Sequence, residues 1–326
     1  MRRDAQAARL ARRASRAPTQ QCDSRFAVLT VACGYRACMS SEHEWPPITD
    51  EALLSIWRSD DQELFSLIPG FLQRLADRIG PDIITPSRDE AYTYPFGRAV
   101  RPTYVDDEER RFPDATEATQ LRAGRVPVLA IGANGSPERL AKKFLALEER
   151  SALLTPGHLE GADICALPFP AGYGSFAAGI AASPGTVVEA VVVDLTEEQL
   201  EWLAITEFGY RLARLSGTAV RAADGRVIEE PFSFVQRGGL YDVGGDTPAP
   251  LAAIPATGRR WPAWDQRDLF SHIAGRLGIP GGDAEALLTV ILADPGAWMA
   301  ANAPRFIGEA TTSHDPPFVP HPAGAA

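Results

Sequence analysis

The clearest apolar pattern lies in Arg125 to Phe144, RVPVLAIGANGSPERLAKKF. Val126, Val128 and Leu129 form a short apolar run with a β-branched bias, the pattern of a buried strand. Gly132, Asn134 and Gly135 follow, residues suited to positive φ and close backbone approach. Ser136 is placed to cap a helix and Pro137 to open it. Leu140, Phe144 and Leu147 then recur at helical spacing. The predicted order is strand, tight turn, helix, with a loop of backbone N–H groups at the helix N-terminus that suits a carboxylate or phosphate. A purely structural strand–turn–helix fits the same pattern and is its commoner use.

Elsewhere the pattern is more broken. Thr49 and Asp50 are placed to cap a helix through Arg58, with Leu53, Leu54, Ile56 and Trp57 apolar. A second helical pattern runs from Asp61 to Ile79, kinked at Pro69-Gly70. Residues 81–122 are rich in Pro, Tyr and charge and read as an extended connector, whose TYPFGRAVRPTY stretch is suited to wrapping a neighbouring surface. After the central motif come β-like runs at Asp163 to Leu167, Ala177 to Ala182 and Thr186 to Leu195, with Ser183-Pro184-Gly185 as a turn before the last. Thr196 and Gln199 make a capping box for a helix. Tyr210 to Val220 and Glu230 to Gln236 read as strands around an Asp224-Gly225 hairpin turn. Helices follow at Gln266 to Leu277 and Asp283 to Asn302, the latter broken at Pro295-Gly296, and from Pro304 the chain is expected to fray. No segment of 20–50 residues repeats, and strands and helices do not alternate regularly, so the fold class is α+β.

Charge narrows the function. The net charge of −10 argues against a general nucleic-acid partner. Residues 1–40 nevertheless carry eight arginines against Asp4 and Asp23. That Arg-rich, acid-poor stretch would fit a transit peptide; a disordered extension, or a translation start misassigned upstream of Met39, is the preferred reading. No apolar run reaches the roughly 20 residues that span a membrane, so no membrane partner is expected. Cys22, Cys33 and Cys38 lie in the N-terminal stretch, leaving Cys165 in the body. A disulfide framework is therefore not expected, and a reducing cytoplasm fits.

Few side chains suggest chemistry. Leu200, Leu203 and Glu207 share one helical stripe, which puts Glu207 on the core-facing side at a helix C-terminus. Desolvation and the helix dipole both disfavour its anion there, so a raised pKa suited to acid/base work is expected. The alternative is a Glu that turns to solvent or pairs with Arg211 or Arg214. Glu189 is expected on a solvent face. His158 and His272 lack ligand-spaced neighbours, so no metal site is expected. Ser175 is not in a G-x-S-x-G elbow, and Gly132-x-x-Gly135 lacks the Lys-Ser/Thr of a P-loop.

Val128 to Leu140 (VLAIGANGSPERL) resembles the opening motif of the γ-glutamylcyclotransferase-like family, an apolar strand followed by Tyr-Gly-Ser-Asn and a helix. Gly179 to Gly185 with Val187, Ala190 and Val191 is similar to its glycine turn and central strand, and Leu200-x-x-Leu203-x-x-x-Glu207 to the helix ending in its catalytic glutamate. Tyr210 and Asp224-Gly225 continue the order, and the resemblance covers residues 124–280. It implies a small, partly open mixed β-barrel with flanking helices and no cofactor. The residue pattern around it divides the rest of the chain into a disordered extension or misassigned start at 1–40, a helical segment and extended connector at 41–122 and a C-terminal helix and frayed tail at 281–326, with the family-like domain at 123–280. The implied reaction cyclises a γ-glutamyl amine or amide to 5-oxoproline and releases the amine, with Glu207 as acid/base. The implied substrate loop is Ile131, Gly132, Ala133 and Asn134, led in by Val128, Leu129 and Ala130, with Tyr210 nearby. Ile131 and Ala133 replace the motif's tyrosine and serine, which removes two hydroxyls and argues against glutathione itself as substrate. A non-catalytic relative that binds a small carboxylate in the same cavity is the alternative, and a related amide-cleaving or amine-transfer activity is a third.

Overall fold

In a computed structural model, the residues described are 45–60, 87–171, 173–207, 209–280 and 283–324. The chain divides into two units, Met1–Trp45 and Pro46–Ala326, and the elements described all lie in the second. The N-terminal extension up to residue 44 and the helix expected over 61–79 lie outside the described residues.

The centre of the unit is strand β3, Val126–Ala130, where Val128, Leu129 and Ala130 are all buried. Consecutive buried positions mark a strand covered on both faces. It pairs antiparallel with β5, Phe176–Leu195, and parallel with β9, Phe232–Gln236. The hairpin partner of β5 is β4, Ala152–Pro170. Outward from β9 lie β6, Tyr210–Leu215, and then β11, Phe318–Pro320. Outward from β4 lie β1, Thr103–Val105, and β2, Arg110–Arg111. Among the described residues the sheet has eleven strands, eight of them on the path β11-β6-β9-β3-β5-β4-β1-β2. Branching from this path, β7 (Ala219–Ala222) joins β4 and β8 (Val227–Glu229), and β10 (Ala256–Thr257) joins β5. The fold is thus α+β around a large mixed sheet whose path has two ends.

The runs at 163–167, 177–182 and 186–195 are not separate strands. They belong to β4 and β5, of 19 and 20 residues. Ser183-Pro184-Gly185 is a bulge inside β5, opposite Gly161, where the register shifts between Glu160 and Ala162. Gly161 and Gly185 take φ of 78° and 88°, so the paired strands bend there and pairing resumes beyond. Turn residues read locally look like a strand end; the long-range partner makes them a bend. The strand expected over 210–220 does divide, with a turn at Gly217 (φ 67°) between β6 and β7. Asp224-Gly225 is a hairpin turn as expected, but it joins β7 to the short β8, while β9 pairs with β6.

Helix α1, Glu51–Arg58, is capped by Asp50 as expected. Glu201 accepts from the Thr49 and Asp50 amides at one end, and buried Arg237 donates to the Ile56 and Ser59 carbonyls at 2.6 Å each at the other. The connector 87–122 is not extended. It holds α2 (Arg88–Thr93), β1, β2 and α3 (Ala115–Leu121), and buries Tyr94, Thr103 and Val105. Helix α4, Pro137–Lys143, follows β3, and α5, Glu197–Thr206, has the expected capping box, with Leu200 and Leu203 buried.

Helix α6, Gln266–Leu277, packs with α7, Ala284–Ala293, which in turn meets α8, Pro295–Gly308. The expected break falls at Asp294, but α8 runs through Pro304 because Ala303 and Phe306 beside it are buried anchors. The tail does not fray over the described residues, since β11 pairs with β6. Among the described residues no single helix is long and apolar enough to cross a membrane.

Candidate functional site

Strand β3 ends at Ala130 and delivers Ile131 and Gly132 into a 3₁₀ turn at Ala133–Gly135. This turn does not use positive φ; Gly132 sits at φ −129°. Glycine is required there by close approach instead. A Cβ on Gly132 would lie 2.0 Å from the Tyr94 hydroxyl and 3.1 Å from the Ala178 methyl. Ser136 does not cap α4 through its side chain either. Its hydroxyl donates to the Phe96 carbonyl at 2.7 Å and ties the connector to the loop.

At the far end of α4, the Lys143 ammonium donates to Asn134 Oδ1 at 2.8 Å, Thr206 Oγ1 at 3.0 Å and Glu207 Oε1 at 2.7 Å. Asn134 Nδ2 donates to the same Glu207 oxygen at 3.0 Å. Glu207 is the residue that closes α5, and its side chain is 16% exposed. The Trp202 indole donates to the Lys143 carbonyl at 2.7 Å, which fixes α5 against α4. The carboxylate predicted at the end of a core-facing stripe therefore meets the loop asparagine. Its cationic partner is Lys143, not Arg211 or Arg214, so a cation offsets the burial and the helix dipole that act on the carboxylate.

Tyrosines enclose the other side. Ala178 N–H donates to the Tyr94 hydroxyl at 2.9 Å, and the Tyr210 hydroxyl donates to the Ala178 carbonyl at 2.8 Å. The Tyr94 and Tyr173 rings stack at 6.1 Å, with Phe96 edge-on to both. Burial pushes the Tyr94 hydroxyl well above its ordinary pKa; the Ala178 and Ala133 amides oppose this and Glu207 adds to it. Tyr173 and Tyr210 are pushed up too, by desolvation first and then by Tyr94 and Glu207. The site thus holds neutral phenols around one carboxylate and one ammonium.

Of the residues predicted for the site, Gly132, Asn134, Tyr210 and Glu207 are brought together around this cluster. Val128, Leu129, Ala130 and Ile131 are buried supports. Ala133 opens the 3₁₀ turn, and its backbone bears on Tyr94. The picture of a loop with open N–H donors changes. The Gly135 and Ser136 amides close the 3₁₀ turn on Gly132 and Ala133, and Tyr94 lies against Gly132. Lys143, Tyr94 and Tyr173 were missed. Tyr94 had a signal, because TYPFGRAVRPTY does wrap this surface; Lys143 had none, since its partners are remote in sequence.

No family model, curated protein or solved structure matches the chain.

The remaining candidates stay apart from this site. Glu189 is exposed on β5, as expected, opposite exposed His158 on β4. His272 Nδ1 is 2.9 Å from the Tyr241 hydroxyl, and Ser175 donates to the Glu90 carbonyl at 2.9 Å. Among the described residues no group of three His, Cys, Asp or Glu side chains is placed to hold a metal ion.

Proposed function

We propose that this protein is a γ-glutamylcyclotransferase-like enzyme that converts a γ-glutamyl amine or amide to 5-oxoproline and the free amine, with Glu207 as general acid/base. The observation that carries the reading is the meeting of Glu207 with Asn134 at 3.0 Å, a helix-terminal carboxylate on the loop that follows the central strand. In this reading the strands around β3 curl as a small open barrel and the cavity lies at its Gly132 end. Glu207 takes the proton from the substrate's α-ammonium group. The freed amine attacks its own side-chain carbonyl, a C–N bond closes the five-membered ring, and the original amide C–N bond breaks as the proton passes to the leaving amine. Holding the folded-back conformer supplies much of the rate, because the attack is intramolecular. Tyr210, its hydroxyl committed to the Ala178 carbonyl, and Tyr173 would wall the reacting carbonyl as neutral phenols. The reaction needs no cofactor, and a cytoplasmic setting belongs to the same reading.

A second reading has its own support. Lys143 holds the Glu207 carboxylate at 2.7 Å, as expected of a relative that keeps a cation for a small carboxylate ligand and does not use Glu207 as a base. The deciding experiment is 5-oxoproline release from a panel of γ-glutamyl amines and dipeptides, wild type beside Glu207→Gln. Release that the substitution abolishes supports the enzyme. Absence of release, with wild type still stabilised thermally by glutarate, supports the binding relative.

A further inference from the structure

Arg98 leaves the connector directly behind the Gly132–Gly135 turn. Its Nη2 donates to the Ala130 carbonyl at 3.3 Å, and its Nε lies 3.1 Å from where a Gly135 Cβ would stand. Nε and Nη1 are buried and have no hydrogen-bond partner. Other enclosed arginines are served differently: Arg226 grips Asp194 with both terminal nitrogens, Arg139 pairs with Glu90 at 2.6 Å, and Arg237 caps α1. Among the described residues Arg98 alone leaves two guanidinium nitrogens buried and unpartnered. Glu189 attracts it only across space, and burial brings its pKa down to about 10.

An enclosed cation with unmet donors is costly, and such a group calls for a partner that the chain itself does not supply. The Tyr94 hydroxyl lies against Gly132, and Glu207 and Arg98 both act on it electrostatically, with opposite sign. The turn that delivers Arg98 is itself strained. Phe96 holds a φ of 68°, unfavourable for a bulky residue, ahead of Gly97 at 71°. Arg139 stacked 3.9 Å over the Phe96 ring and the Ser136 hydroxyl keep it in place. Nε–H and Nη1 lie on opposite edges of the planar guanidinium, so a carboxylate admitted by relaxation of that turn would take a single charge-assisted hydrogen bond from either.

We infer that Arg98 is the carboxylate receptor of this site, supplied by the connector from outside the stretch that resembles the family. The inference rests on the proposed function for the ligand's identity, a γ-glutamyl compound, but not for the chemistry of the contact. The carboxylate is either that of the glutamyl α-carbon or that of an amino-acid leaving group.

The test uses the full chain with Arg98→Met and Arg98→Lys, and glutarate as a non-reacting probe. Removing an uncompensated cation should leave the free Arg98→Met protein as stable as wild type or more so, while its thermal shift with glutarate disappears and glutarate affinity falls about 10- to 100-fold. Arg98→Lys keeps the charge but not the donor edges of the planar guanidinium and should bind between the two. KM should rise in the same order, with kcat less affected. An equal rise for γ-glutamyl amines and γ-glutamyl amino acids assigns the α-carboxylate; a rise confined to the amino acids assigns the leaving group. Unchanged glutarate affinity in Arg98→Lys, or in a folded Arg98→Met, overturns the inference. No 5-oxoproline from wild type, with an Arg98-dependent glutarate shift, overturns the proposed reaction and leaves the receptor standing.

Discussion

Lys143 meets Glu207 across two helices, Nζ to Oε1 at 2.7 Å, while the same ammonium holds Asn134 at 2.8 Å. One cation therefore sets the loop and the carboxylate at once. Both side chains are largely enclosed, at 10% and 16% exposure, so the pair is worth more than a surface bridge and less than a fully dry one.

Lys143→Met should therefore destabilise the fold by roughly 1–3 kcal/mol, because it leaves an anion enclosed without its counter-ion. Glu207→Gln should cost less, since the amide oxygen still accepts from Lys143 and Asn134. Urea unfolding of both variants orders the two costs. Equal stability of Lys143→Met and wild type would mean that solvent already screens the pair.

Tyr94 and Gly132 make a second coupled pair. Gly132→Ala drives a methyl to within 2.0 Å of the Tyr94 hydroxyl and should cost roughly 1–3 kcal/mol as an overpacked contact. Tyr94→Phe alone should cost about 1–2 kcal/mol, chiefly by leaving the buried Ala178 amide without its acceptor. Once the hydroxyl is gone, the added methyl meets less. The double variant should thus be more stable than the two single costs predict, a coupling that a double-mutant cycle reads directly. Strict additivity would place Tyr94 away from the loop.

The two cases show what the sequence carried. Val126 to Ala130 as a strand, Pro137 as a helix start, the Thr196 capping box and Glu207 at a helix end are local statements, and local chemistry decided them. Glycine at 132 was also legible, but its reason was not, since positive φ and a close neighbour select the same residue. The bulge at Ser183-Pro184-Gly185 read as a turn because pairing with β4 is a long-range fact. Lys143 and Arg98 were ordinary charges in the sequence. Only the fold shows that one meets three partners and that the other leaves two nitrogens without any.

The C-terminal tail carries a pH dependence. His321 is buried where β11 leaves the sheet, with Nε2 2.8 Å from the Pro46 carbonyl and Nδ1 accepting from Ala323 N–H at 3.2 Å. Nε2 must carry the proton to serve a carbonyl, so Nδ1 is the acceptor, and protonating it sets two donors face to face. Burial lowers the pKa below the usual 6.5, with the Pro46 contact opposing in part. His272 is lowered as well, by burial first and then by Arg276. In the unfolded chain both imidazoles bind a proton near 6.5; in the folded chain they do so only at lower pH. Their contribution is therefore complete above 6.5 and is lost as pH falls toward the folded values, at most about 1.4 kcal/mol per pH unit for each group. His321→Gln keeps an N–H for Pro46 and cannot titrate. Urea unfolding from pH 7.5 to 5 should show wild type losing stability faster than His321→Gln, the difference growing below 6.5. Parallel slopes would mean that the tail opens before the imidazole titrates, and that β11 contributes little to holding His321 neutral.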